Sequence, residues 1–203
     1  FFPFVFFFIK GYIKKNEFPK YFLMLILGGM QGVLGWYMVK SGLVDNPAVS
    51  QYRLTAHLSS AFLIYSFMFW VALTLLYPAK NTPNNWSAKT NALTLLIIIT
   101  IVSGGFVAGL KAGKIYNTYP MMGDYWIPPG IFALKPTWIN FFENIVTVQL
   151  SHRILTFITF VSIIVYWLKV RKLELPSRIG RAVNALMHIT VLQFILGIST
   201  LLL

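Results

Sequence analysis

The apolar positions of this chain are massed in long runs rather than spaced along one face. Residues 20–40, 53–77, 88–110, 144–168 and 181–203 are each nearly continuous in hydrophobic side chains. A helix rises about 1.5 Å per residue, so roughly 20 residues cross about 30 Å of hydrocarbon. Each of the five runs therefore predicts a membrane-spanning helix. A sixth run, from Phe1 to Ile13, is too short to span. A secretory leader places basic residues ahead of its apolar stretch, whereas Lys10, Lys14 and Lys15 follow this one. It reads as the end of a span that begins outside the chain, and the last run also stops in mid-membrane at Leu203.

Composition strengthens that reading. Of 203 residues, 57% are hydrophobic and 11% charged, against about 25% charged in a soluble domain. This excludes an ordinary soluble globule and a disordered chain, and makes membrane lipid the main partner of the surface. A net charge of +12 would suggest nucleic acid in a soluble protein. Here the charges fall between the apolar runs, so no nucleic-acid partner is expected. The absence of cysteine excludes disulfides, thiolate metal sites and iron–sulfur clusters. Segments 10–20, 78–89 and 169–181 carry 11 of the 17 Lys and Arg residues, which assigns them to the cytoplasmic side. The 111–143 connection then lies outside. Its Tyr116, Tyr119, Trp126, Trp138 and four prolines predict an ordered cap at the membrane interface rather than a catalytic loop.

Two pairs of segments recur at similar offsets. Gln31-Gly32-Val33-Leu34-Gly35 resembles Gln193-Phe194-Ile195-Leu196-Gly197, 162 residues on, and Lys14 to Pro19 resembles Arg171 to Pro176, 157 residues on. Together they predict two four-helix units in the same orientation, the first span matching the fifth.

Three histidines lie within the runs. His57 and His152 each sit a few residues inside a helix entered from the outer face. A polar ring in lipid is costly and usually functional; the plain alternative is an imidazole hydrogen-bonded between helices. His188 lies near the cytoplasmic end, and its repeat counterpart is Ile26, so it reads as structural. Carried through the repeat, His152 falls before Phe1 and His57 falls beyond Leu203. Each half would thus have two facing histidines, suited to binding the iron of one haem axially. Copper or zinc is disfavoured, because no carboxylate lies close by in sequence. Arg53, one turn from His57, and Arg153, next to His152, either pair with haem propionates or reach to the lipid headgroups. Gly28-x-x-x-Gly32 and Gly105-x-x-x-Gly109 allow close helix approach.

The run Gln31 to Leu43, the segment Tyr52 to Leu58, Asn117-Thr118-Tyr119-Pro120 with Met122, Phe142-Glu143-Asn144, and Val148 to Arg153 resemble the haem A synthase family, in its cysteine-free proteobacterial and mitochondrial branch. The likeness runs in order over nearly the whole chain. It implies an all-α integral membrane protein of eight helices in two pseudo-symmetric four-helix bundles, of which about six are represented here. Residues 1–80 would belong to the amino-terminal bundle, which holds the substrate haem, and residues 81–203 to the carboxy-terminal bundle, which holds haem b. The implied reaction oxidises the C8 methyl of haem O to the formyl of haem A by successive hydroxylations. His57 would be an axial ligand of the substrate haem and His152 of haem b. A family glutamate implicated in catalysis lies in the second helix, in a stretch outside this chain, so no residue here receives the acid–base role; Glu143 is expected to cap or orient its helix. A haem O-producing farnesyltransferase and cytochrome oxidase assembly proteins are the implied partners. The bacterial inner membrane is the expected location, with the mitochondrial inner membrane as the alternative. Two rivals stand beside this reading: a non-catalytic di-haem b-type membrane cytochrome, and a haem-free transporter or assembly factor. The chain lacks the broken helix pairs and midplane charges of a transporter.

Overall fold

The computed structural model describes residues 2–40, 49–77 and 87–203. It divides into two compact units, residues 1–82 and 83–203. In the first unit a short helix α1 (Phe2–Ile9) ends at Gly11, whose φ of 72° turns the chain as only glycine does without strain. Helix α2 (Phe18–Lys40) carries Pro19 in its first turn, where no backbone donor is lost. Helix α3 (Gln51–Leu76) packs against α2.

The second unit begins with α4 (Ser87–Gly109) and, after a long ordered connection, the short α5 (Asn140–Glu143). It continues through α6 (Ile145–Val170) and α7 (Ser177–Leu202). Helix α6 packs on both α4 and α7. The five long helices coincide with the five apolar runs, and all five are long and apolar enough to cross a membrane. Among the described residues there is no β-strand, only an isolated bridge between Met122 and Tyr125.

The side-chain distribution inverts that of a soluble protein. Phe69, Trp70, Phe157, Ile189 and Leu192 are exposed, whereas Thr55, Asn140, Asn144, Thr147, Gln149 and Thr159 are buried. Exposed apolar surface on this scale is untenable in water and costs nothing in lipid, where backbone groups must be satisfied within helices. The chain is an all-α integral membrane protein.

Polar side chains link α4 to α6 along their length. Thr100 meets Thr159 at 2.7 Å and Thr90 meets Tyr166 at 2.9 Å, the kind of interhelical bond that replaces the hydrophobic effect inside a bilayer. Gly105 is buried on α4. At Gly28 and Gly32 a Cβ would meet nothing within 4 Å among the described residues.

The connection 110–139 is held by two asparagines. Asn140, wholly buried, donates to the carbonyls of Leu134 and Thr137 and accepts from the Leu134 amide. Asn144 caps α6, its Oδ1 accepting from the amides of Val146 and Thr147 while its Nδ2 donates to Gly130 O and Asn140 Oδ1. The cap of α6 is thus Asn144 and not the neighbouring Glu143. Trp126 and Trp138 remain exposed at the surface of this connection, as interfacial aromatics do.

Candidate functional site

His57 and His152 lie in different units, about 9 Å and about 10 Å along their helices from the first residues, Gln51 and Ile145. Each imidazole is built in the same way. In the first unit Gln31, on α2, donates through Nε2 to the His57 carbonyl at 2.8 Å and lies 3.1 Å from His57 Nδ1. Ser60, one turn further along α3, donates to Gln31 Oε1 at 2.7 Å. In the second unit Ser103, on α4, lies 2.7 Å from His152 Nδ1 and donates to the Thr100 carbonyl at 2.7 Å.

Each ring also has a glycine of the neighbouring helix against its edge. A Cβ added at Gly35 would stand 3.0 Å from His57 Cε1, and one at Gly104 would stand 3.2 Å from His152 Cε1. Both histidines are therefore fixed at Nδ1 by a polar side chain and given their space by a missing one.

The two arginines part company. Arg53 is half-buried, its guanidinium 5.1 Å from the centre of the Tyr37 ring, a cation–π placement that leaves N–H donors for another partner. Arg153 is turned onto the 111–143 connection. It donates to the carbonyls of Tyr116 at 2.9 Å, Thr118 at 2.8 Å and Met121 at 3.2 Å. Gln149 adds a bond to the Tyr116 carbonyl at 2.8 Å. His188 bonds through Nδ1 to the carbonyl of Asn184, one turn earlier on its own helix.

A groove of about 610 Å³ runs between α2 and α3, lined by Met30, Gln31, Tyr37, Ser60 and Leu63 among others. Its volume is that of a site for a sizeable organic ligand. Two of its polar members, Gln31 and Ser60, are the partners of His57. Among the described residues no three His, Asp or Glu side chains come together. Zinc calls for three or four protein ligands, whereas a porphyrin brings four nitrogens and needs only axial imidazoles. Single, rigidly held histidines fit haem.

A model of the COX15-CtaA family, described as cytochrome oxidase assembly protein, matches residues 1–203. The chain belongs to this family. It is similar to the heme A synthase of Nitrosospira multiformis, 46% identical across all of this chain and 58% of the relative. The heme A synthase COX15 of Arabidopsis thaliana is 43% identical over 98% of this chain and 47% of its own, and that of Homo sapiens 40% over 98% and 51%. The chain thus spans between about half and three fifths of the length of these relatives. No solved structure matches it.

Two family-like sequence motifs prove to be one physical unit. The segment Asn117 to Met122 is anchored by Arg153, which together with Gln149 also holds the preceding Tyr116 carbonyl from the helix that carries His152, and Met122 is 1% exposed. Sequence reading singled out the histidines and arginines but missed Ser60, Ser103 and Gly104. Gln31 and Gly35 stood out only as part of a repeat and of a family-like run, although their place on the helix preceding that of His57 was the available signal.

Proposed function

We propose that the full protein is a haem A synthase, oxidising the C8 methyl of haem O to the formyl of haem A by successive hydroxylations. The observation that carries this reading is the doubled construction around His57 and His152, within a chain that belongs to the cytochrome oxidase assembly protein family. Two separate, similarly buttressed imidazoles suit a protein with two haems in different roles.

Haem O is the substrate, and His57 in the half formed by residues 1–80 is its axial ligand. Gln31 and Gly35 hold that ring, and the adjoining groove between α2 and α3 gives the macrocycle room along Leu34 and Leu63. Arg53 offers its N–H groups to a propionate, a bidentate partner for a carboxylate. His152, in the half formed by residues 81–203, would hold haem b through its imidazole, and that haem when bound would supply one-electron transfer. Ser103 and Gly104 fix that imidazole. Arg153 acts through the 116–122 segment, holding it over the helix end. No side chain described here is assigned as acid or base.

The partners that follow are a farnesyltransferase that makes haem O and proteins of cytochrome oxidase assembly. The bacterial inner membrane is the proposed location, and relatives in plants and mammals keep the mitochondrial inner membrane as the alternative.

Substituting each histidine separately in the full-length protein tests the division of roles. His57→Ala stops haem A formation while haem b stays bound, and His152→Ala removes the low-spin haem b spectrum. Normal haem A yield from the first variant, or an unaltered spectrum from the second, contradicts the assignment.

A further inference from the structure

The groove beside His57 has a continuation. Its lining reaches Leu27 on α2 and Ile64 on α3. About one turn beyond, a second cavity of about 480 Å³ is lined by Phe4, Phe7, Tyr21, Met24, Leu25 and Met68 among others. Taken together, the linings run Tyr21, Met24, Leu27, Gln31 and Leu34 on α2, and Ser60, Ile64 and Met68 on α3. Intervals of three and four residues keep each set on one face of its helix, so the two cavities lie in line as one furrow. Helix α1 walls its far end through Phe4 and Phe7, and the ring of Phe8 stands 4.8 Å from that of Phe18 on α2.

The chemistry of the furrow changes along its length. Near His57 it offers Gln31 and Ser60; from Leu27 to Tyr21 it offers hydrocarbon, aromatic rings and the thioethers of Met24 and Met68. No charged side chain lines either cavity. Methionines adapt to irregular, branched shapes. Gln31 and Tyr21 are ten residues apart on α2, about 15 Å. A farnesyl chain, at the roughly 3.5 Å per three bonds of an extended backbone, is about 13 Å long. Haem O carries such a chain on one edge of its ring, where haem b has a vinyl group.

We infer that the furrow from Leu27 to Tyr21 receives the farnesyl tail of haem O, and that Met24, Leu25 and Met68 are positioning residues that set which ring methyl is oxidised. The inference rests on the role of His57 proposed above. Lipid is as apolar as the furrow, so moving the tail between them adds packing and little affinity. What it adds is orientation. An imidazole fixes the iron and leaves the ring free to turn about the iron–nitrogen bond. A propionate at Arg53 still permits two settings, related by turning the ring over between its propionates, which exchanges the C8 and C5 methyls. The tail stands on one side of that axis, and the furrow admits only the setting that points it toward α1.

The test uses the full-length protein in lipid nanodiscs and farnesol bearing a diazirine in its last isoprene unit. Light is expected to attach the probe within residues 21–25 and at Met68, and haem O, but not haem b, is expected to suppress that labelling. Label spread over the outer helix faces, as an occupied or closed furrow gives, overturns the inference. Haem O that binds without displacing the label overturns it too and leaves the ligand role of His57 standing; a protein that never binds haem O overturns both. A second measurement fills the furrow. Met68→Trp is expected to keep haem O bound while lowering haem A yield by about tenfold to a hundredfold, the cost of a misplaced reacting group, with the C5 isomer among the products. Met68→Leu, which leaves the space open, is expected to keep the wild-type yield. Wild-type yield at C8 alone from Met68→Trp, or an equal loss in Met68→Leu, overturns the inference.

Discussion

At the scale of single residues, the two histidines depend on glycines as much as on hydrogen bonds. His152 is tied to Ser103 at 2.7 Å, so its ring backs away from a methyl group placed 3.2 Å from Cε1 only by stretching that bond. Overpacking of this kind costs about 1–3 kcal/mol. Gly104→Ala in the full-length protein is therefore expected to weaken haem b retention by about tenfold to a hundredfold, read as the low-spin fraction surviving gel filtration. Gly35→Ala, with a 3.0 Å approach to His57, is expected to affect the substrate haem in the same way. Full haem occupancy in both would show that the rings have room to spare. The histidines were legible in the sequence because an imidazole amid apolar residues is costly. Their partners were not, since Gln31 is 26 positions from His57 and Ser103 is 49 from His152, and no repeat says which residue faces which. The repeat counterpart of Gly35, Gly197 on α7, has nothing within 4 Å of an added Cβ among the described residues.

At the scale of elements, the chemistry of capping decides how α6 begins, and with it where His152 sits. Asn144→Ala removes the cap and frees the carbonyl of Gly130, with a cap alone worth about 0.5–2 kcal/mol. It is expected to lower the thermal midpoint of the full-length protein in detergent, measured by tryptophan fluorescence; an unchanged midpoint would contradict the cap's role. Arg153 has its own prediction. Because it binds the carbonyls of Tyr116, Thr118 and Met121, Arg153→Ala is expected to open the 116–122 segment to limited proteolysis while leaving the haem b potential in place. A shifted potential with an intact segment would instead make Arg153 a propionate partner. Span limits were readable to within a few residues because length and apolarity are enough to define a bilayer helix. The order within 111–143 showed only as a cluster of aromatics and prolines, because buried asparagines such as Asn140 look like ordinary loop residues until their partners are known.

At the scale of the whole molecule, two units each present one prepared imidazole within helices whose outer faces are apolar. That arrangement suits a membrane enzyme with one haem as substrate and another as electron carrier. A di-haem cytochrome that only moves electrons would use the same histidines, so the pigments themselves separate the readings. The full-length protein, purified in detergent from cells that make haem O, should yield on extraction and reversed-phase chromatography haem b together with haem O or haem A. Haem b alone, from cells shown to contain haem O, would contradict the synthase reading and leave an electron carrier; no haem at all would remove the histidine-ligand reading on which it stands.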